Sequence, residues 1–390
     1  MKRRKEDLAV QKTINPNDTI YTITNEHPKT IDVLVEFGFD KLKNPMIRNT
    51  IGKTMTLQTI CDMRKVNLQE ILAQMNRVIN QNLENCITVK GVLPCPIRIP
   101  LVESIDQFIE KNNLNINYTL PPASTGLDWL ISETDDVNKL ADIYLSAGFG
   151  LFFDKEKIGK YAQDGVFRSN PFKYNETFKS FADENNIYTI LGVVPAVFMV
   201  NKKLLADRPC PRKWTDLLKD IYKGELAIPM KDLDLFNALL LGIYTSYGES
   251  AVAKLGEAVI MNMHPAEMVK NSTTNATPLI SVAPYFFASM VKESDDVIVV
   301  WPEDGAIASP IFLISKTETY DNYKPFLDFL TSKEIGTILS SNGRFPSTLM
   351  GIDNGLSPDK KFIFSGFDFI NKNDIANLLT RLENVFFGRK

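Results

Sequence analysis

Residues Leu191–Lys231, LGVVPAVFMVNKKLLADRPCPRKWTDLLKDIYKGELAIPMK, decide how the chain divides. Ile190–Val200 is an apolar run rich in β-branched and aromatic residues, broken once by Pro195, and suits a buried strand. A polar turn carrying Pro209 and Pro211 follows. In WTDLLKDIYKG the residues Trp214, Leu217, Leu218 and Ile221 fall at helical spacing, Gly224 stops that helix, and Leu226–Pro229 starts another strand. Strand, loop, helix and strand in this order are what a chain shows on leaving one α/β lobe for a second. An ordinary internal stretch of a single α/β domain reads the same way.

The 390 residues allow two or three domains and a sizeable core. With 44% hydrophobic and 23% charged residues the mix is globular, and a net charge of −3 supplies no field that would recruit nucleic acid or acidic lipid. No nucleic-acid-reading motif is present, and no apolar run approaches the roughly 18 residues that a membrane span needs. The start, MKRRKEDLAVQKTI, is basic, but Glu6, Asp7, Gln11 and Lys12 interrupt any apolar signal core and no small-residue cleavage site follows. The expected location is the cytoplasm, or beyond it should the true start lie upstream. Cys61, Cys86, Cys95 and Cys210 form no C-x-x-C pair, and two histidines give no zinc spacing, so thiols and no metal or cofactor are expected.

Residues 1–16 read as a disordered basic tail. Residues 17–81 read as a small all-α domain. Pro28 opens a helix carrying Ile31, Leu34, Val35 and Phe37 that Gly38 closes; Thr56 caps a second with Leu57, Ile60 and Met63; and Asn67-x-x-Glu70 starts a third with Leu68, Ile71, Leu72, Met75 and Ile79. Arg48 and Lys53 are either an anion site or plain exposed charge.

From residue 86 the pattern alternates strands and helices. Ile87–Pro96 reads as a strand, Leu101–Lys111 as an amphipathic helix and Ile116–Leu120 as a strand. The turn Pro121–Leu127 then brings Ser124, Thr125 and Gly126 to the start of a helix, where backbone N–H groups and hydroxyls suit an anionic or strongly hydrogen-bonding group; a plain N-cap is the alternative. Ser146-Ala147-Gly148 is a second small-residue turn after a strand. Past Pro229, Asp232 and Asp234 precede the apolar helix Ala238–Tyr247 and either cap it or meet a cation or amine.

Trp214 to Pro229 resemble the lobe-to-lobe crossover of the type 2 periplasmic-binding-protein fold, as in the ferric-iron, thiamine and polyamine solute-binding proteins of ABC transporters. Pro302-Glu303-Asp304-Gly305 resembles the turn before the return crossover, Ala308–Ile314. Tyr323–Ile335 and Gly343-Arg344-Phe345-Pro346 resemble the closing helix pair and its ending. The resemblance implies an α/β domain over 86–390, with lobe I at about 86–193 and 309–390 and lobe II at about 197–305. It also implies non-catalytic binding of a small polar, anionic solute with hinge closure. It places Cys95, Ser124, Thr125, Gly126, Ser146, Ala147 and Gly148 at the cleft from the first lobe, and Asp232, Asp234 and Tyr285 from the second. Ferric-binding relatives use a tandem tyrosine near Tyr285; here Phe286 and Phe287 follow, which argues against iron–phenolate ligation.

Pro28, Leu34, Gly38-Phe39, Asn44-Pro45, Arg48, Gly52 and Thr56-Leu57 resemble a short helical domain of unknown function often fused to other modules. Some relatives carry a cysteine pair after the glycine that is missing here. Two further function classes stay open. An enzyme on the same fold would have Cys95 as its one candidate for covalent chemistry, since no nucleophile–base set or P-loop is present. An intracellular sensor would use the helical domain as its output. The implied partners are the solute, with an ABC permease or a protein reached through the helical domain.

Overall fold

The structure, a computed structural model, describes residues 13–80, 86–230, 234–271, 278–292 and 296–389. Residues 1–12, Asp232 and residues 272–277 lie outside the described residues.

Five helices build the N-terminal domain: α1 (Ile20–Glu26), α2 (Thr30–Glu36), α3 (Pro45–Asn49), α4 (Leu57–Arg64) and α5 (Leu68–Asn80). Side-chain caps set the starts of α1, α3 and α4. Thr19 accepts from the Thr22 N–H at 3.1 Å, Asn44 from Met46 at 2.9 Å with Pro45 in the first turn, and Thr56 from Thr59 at 3.1 Å. Ile20, Leu34, Leu57, Ile71 and Met75 are wholly buried in a core of the domain's own. Arg48 and Lys53 are engaged within the domain. Arg48 donates to the carbonyls of Leu42 and Lys43 at 2.5 and 2.8 Å, and the Lys53 ammonium sits 4.7 Å above the Tyr21 ring.

The larger domain begins with β1 (Ile87–Lys90), α6 (Cys95–Lys111), β2 (Ile116–Thr119), α7 (Asp128–Ile131), β3 (Ile143–Ala147), α8 (Phe149–Phe153), α9 (Ile158–Gln163) and β4 (Phe167–Arg168). The expected strand Ile87–Pro96 is therefore cut short. Pro94 is the N-cap of α6 and Pro96 lies in its first turn, where a missing N–H costs no hydrogen bond, so Cys95 opens a helix.

The first crossover is β5 (Thr189–Asn201), thirteen buried residues that at ~3.3 Å each reach about 40 Å, enough to run through both lobes. Beyond it lie α10 (Lys202–Leu205), α11 (Trp214–Leu217), β6 (Leu226–Ile228), α12 (Leu235–Tyr247), α13 (Glu249–Ala258), β7 (Val259–Asn262), α14 (Pro265–Asn271), β8 (Ile280–Pro284), α15 (Tyr285–Ala288) and β9 (Val297–Val300). The return crossover is β10 (Ala306–Lys316). It is followed by α16 (Lys324–Leu330), α17 (Lys333–Gly343), β11 (Phe362–Ile363), α18 (Phe367–Lys372) and α19 (Ile375–Phe386).

The sheet order is β2-β1-β3-β10-β5-β8-β6-β7, with β4 and β11 on β10 and β9 on β5. β1 is parallel to β2 and β3, and β6 is parallel to β7 and β8; the long pair β5–β10 is antiparallel and joins the two halves. Each crossover carries a proline in mid-sheet: Pro195 faces Ala308, and Pro310 faces Val193. The Val193 N–H points away from β10, to the Pro346 carbonyl at 3.0 Å, so the 193/310 pair exchanges no bond and Pro310 forfeits none.

One apolar core continues from Tyr144, Phe149 and Phe152 to Trp214, Leu239 and Leu241, and on to Leu378, Leu382 and Phe386 of α19. The C-terminal helix packs against α12, α13 and α8.

Candidate functional site

The turns that leave β1, β2 and β3 lie side by side. Gly91 donates to the Thr119 carbonyl at 3.1 Å, and a Cβ at Gly91 would run into the Leu145 carbonyl, so the turns approach this closely only with glycine there. Ser146 is wholly buried. Its hydroxyl accepts from the Val92 N–H at 3.0 Å and donates to the Ala147 carbonyl at 2.6 Å, tying the first turn to the third. Ala147, also buried, completes the tie through its own N–H to the Val92 carbonyl at 3.3 Å.

Between them runs the 120–127 turn. Residues Ala123–Thr125 make a 3-10 turn held by the Thr125 N–H on the Pro122 carbonyl at 2.9 Å and Gly126 on Ala123 at 3.1 Å. The helix that follows is a single turn starting at Asp128, so neither Ser124 nor Thr125 is its N-cap. Thr125 is half-buried, and Gly126, at φ 80°, is exposed with open space around its Cα. Cys95 stands exposed on the first residue of α6, and all four cysteines are free thiols.

Gly148, at φ 136°, precedes α8. The first N–H of that helix, on Phe149, donates to the carboxylate of Asp234, which lies beyond β5 and β6 in the chain; the Asn237 side-chain amide donates to the other carboxylate oxygen. Asp234 stands at the N-cap position of α12 with a left-handed backbone, φ 54°, but its carboxyl makes no bond to that helix's backbone. Burial pushes the carboxyl up to about 6 although both donors pull the other way. Tyr285 opens α15, half-buried, with its ring edge-on to Trp301 at 5.3 Å.

Segments that flank the two crossovers are bonded to each other. The Trp214 N–H donates to Asp304 at 3.0 Å and its indole N–H to the Gly305 carbonyl at 2.8 Å, while the Tyr247 hydroxyl donates to Asp304 at 2.6 Å. Thus Trp214, which opens the first resembling stretch, and the turn Pro302-Glu303-Asp304-Gly305, 90 residues away, are in direct contact. Residues 345–349 lie along β5, where Ser347 pairs with Gly192 and the Thr348 N–H reaches the Leu191 carbonyl at 3.1 Å.

The structure brings Gly126, Gly148, Asp234 and their neighbours to the strand ends that adjoin the crossovers. Sequence reasoning named Asp234 without its partner, because Phe149 contributes only a main-chain N–H, 85 residues away. Asp304 and Tyr247 went unnamed as a pair for the same reason of distance along the chain. Two cavities lie elsewhere. One of about 490 Å³ sits at the opposite ends of β1 and β2, beside Cys86, Asp142 and Tyr323, and one of about 280 Å³ lies between α5 and α6. Among the described residues no three His, Cys, Asp or Glu side chains are grouped to hold a metal ion, and no helix is long and apolar enough to cross a membrane.

Residues 138–373 match the family model described as bacterial extracellular solute-binding protein, and residues 14–72 match a domain of unknown function, DUF1858. Curated proteins yield no sequence match. Solved structures are similar in fold. A ferric binding protein from Campylobacter jejuni shares 17% identity at a TM-score of 0.55, covering 77% of this chain and 98% of its own. Apo ferric ion-binding protein A of Pasteurella haemolytica shares 16% at 0.58, covering 78% and 98%. The periplasmic binding protein AfuA of Actinobacillus pleuropneumoniae, solved with fructose-6-phosphate bound, shares 16% at 0.55, again covering 78% and 98%. At such identities the likeness is one of fold: a mixed α/β periplasmic-binding-protein-like arrangement behind a helical N-terminal region.

Proposed function

The chain belongs to the bacterial extracellular solute-binding protein family, and on that premise we propose that it binds a small polar solute, without turnover, in the cleft between its two lobes. Closure is a bend of β5 and β10 that brings the second lobe onto the first, and the solute stabilises the closed form by contacts it makes only there. The observation that carries this reading is the Asp234–Phe149 bond, a hydrogen bond from one lobe to the other at the strand ends.

Cys95, Thr125, Gly126 and Gly148 face the solute from the first lobe, and Asp234 and Tyr285 from the second. Ser146 and Ala147, buried, hold the floor. An anionic group on the solute goes to the Thr125–Gly126 turn, since the Phe149 N–H already carries a carboxylate. Of the two roles open to such a protein, delivery to an ABC permease or reporting of occupancy, the helical domain favours reporting. It rests on Thr119, immediately before the 120–127 turn.

A thermal-shift screen against inorganic anions, phosphorylated sugars, amines and metal ions tests the reading. A solute at 100 times its Kd adds about 2.7 kcal/mol. The expected result is a shift with one chemical class that the Thr125→Ala, Asp234→Ala double variant loses. A folded protein that shifts with no class, or a shift that the double variant keeps, overturns it.

A further inference from the structure

The helical domain is seated on the edge strand β2 and on α6 through a polar interface. Arg77 of α5 donates to Asp106 at 2.5 Å and to the Tyr118 hydroxyl at 2.7 Å, lying 3.8 Å from that ring, and Tyr118 donates to Asp106 at 2.7 Å. Arg98 of α6 pairs with Glu70 of α5 at 2.6 Å and donates to the Leu120 carbonyl at 2.6 Å.

One member of the interface is of another kind. Glu36, the last residue of α2, turns its carboxyl toward β2, where one oxygen accepts from the Gln74 amide of α5 at 2.7 Å and the other from the Thr119 hydroxyl at 3.2 Å. Among the described residues no arginine or lysine bonds it. Lys90 of β1 faces it but is ion-paired with Glu133, just past α7, and Asp32 faces it from its own helix. Glu36 thus has two neutral donors, one neutralised cation and two acids around it.

We infer that Glu36 is a proton-operated clamp: the helical domain is held to the first lobe by the neutral form of this carboxyl, and deprotonation loosens the seat. Burial in the interface, opposed by Lys90 and Thr119 and aided by Glu133 and Asp32, raises the docked carboxyl from 4.5 to about 8. An undocked, hydrated Glu36 has its ordinary value. The docked state therefore binds the proton more tightly. Docking is at full strength below about pH 4.5, weakens by up to about tenfold per pH unit as pH rises, and reaches its minimum at about pH 8. The range includes neutrality, where a modest pH change alters the seat of a domain whose contact residue Thr119 adjoins the 120–127 turn.

The test is hydrogen–deuterium exchange by mass spectrometry on the full, solute-free chain from pH 5 to 9, with rates corrected for intrinsic pH dependence. Amides of β2 and α5 are expected to lose protection progressively up to about pH 8 and then level off, while amides of α12 show no such slope. Glu36→Gln, which mimics the neutral acid, is expected to flatten the profile. Thr119→Val removes a donor that favours the charged form and moves the levelling point to higher pH; Glu133→Gln removes a like charge and moves it lower. Should Glu36→Gln fail to fold, the wild-type profile and the two opposed shifts still decide. A wild-type interface with pH-independent protection, a Glu36→Gln profile that keeps its slope, or Thr119→Val and Glu133→Gln profiles that do not separate would each overturn the clamp.

Discussion

Asp234 occupies an unusual position for a carboxylate. A left-handed backbone at φ 54° is tolerated by aspartate better than by most side chains, and it aims the carboxyl across to α8 instead of along its own helix. Two donors favour the charged form, yet burial wins and the group is raised from 3.8 to about 6. The sign of the linkage follows. The folded state binds the proton more tightly than the unfolded chain, so this group's stabilising contribution is complete below pH 3.8 and is lost as pH rises through about 6. Asp234→Asn keeps the shape and has no proton to lose. Urea unfolding at half-unit steps from pH 4 to 7 is expected to show a smaller fall in stability with pH for the variant than for the wild type; parallel curves would remove Asp234 as the source.

At the level of elements, the two crossovers are braced by contacts between segments far apart in sequence. Asp304 accepts from the Trp214 N–H at the start of α11 and from the Tyr247 hydroxyl at the end of α12, and burial with the nearby carboxylate pushes the Tyr247 phenol well up. Asp304→Ala leaves both donors without this partner. The expected cost is about 1–3 kcal/mol, read as a lower urea midpoint together with a shift in tryptophan emission; an unchanged midpoint would mean that water replaces the carboxylate without loss. Much of this level was legible in the sequence. The apolar run Ile190–Val200, broken only at Pro195, gave away β5, and Thr56 marks a helix start that the structure keeps. Failures have identifiable causes. Pro94-Cys95-Pro96 was read as the end of a strand, but proline serves a helix's first turn equally well, and the choice depended on the packing of α6 against α17. WTDLLKDIYKG, read as one helix, splits into α11 and a 3-10 turn at Asp220–Tyr222, with the Tyr222 hydroxyl bonded to the Pro209 carbonyl. α1 is made of Ile20-Tyr21-Thr22-Ile23-Thr24, residues with little intrinsic taste for helix, and it exists because Ile20 and Ile23 bury and Thr24 bonds back to Ile20 at 2.8 Å. The Asp234–Phe149 bond had no sequence signal at all, since an N–H is common to nearly every residue.

Across the whole molecule the helical domain solves a problem that the larger domain creates. β2 ends the sheet, and an uncovered edge strand invites pairing with another chain. Gln74, Arg77 and Glu36 meet Tyr118 and Thr119 on that strand, so the domain shields the edge while standing next to the 120–127 turn. Shielding and communication then use the same contacts. Arg77 is a central point of attachment, with its side chain 18% exposed and bonded to both Asp106 and Tyr118. Arg77→Glu sets two carboxylates against each other there and is expected to weaken the seat by about 3 kcal/mol or more, while the buried cores of the two domains, which do not include Arg77, keep their helices and strands. The variant should retain wild-type circular dichroism, show faster amide exchange on β2, and give a larger radius of gyration in solution scattering, with self-association at high concentration as the exposed edges pair. A monomer of unchanged radius and unchanged β2 protection would mean that the remaining Arg98–Glu70 and Glu36 contacts suffice to hold the domain, and the shielding role would then rest on Glu70 and Glu36 instead of Arg77.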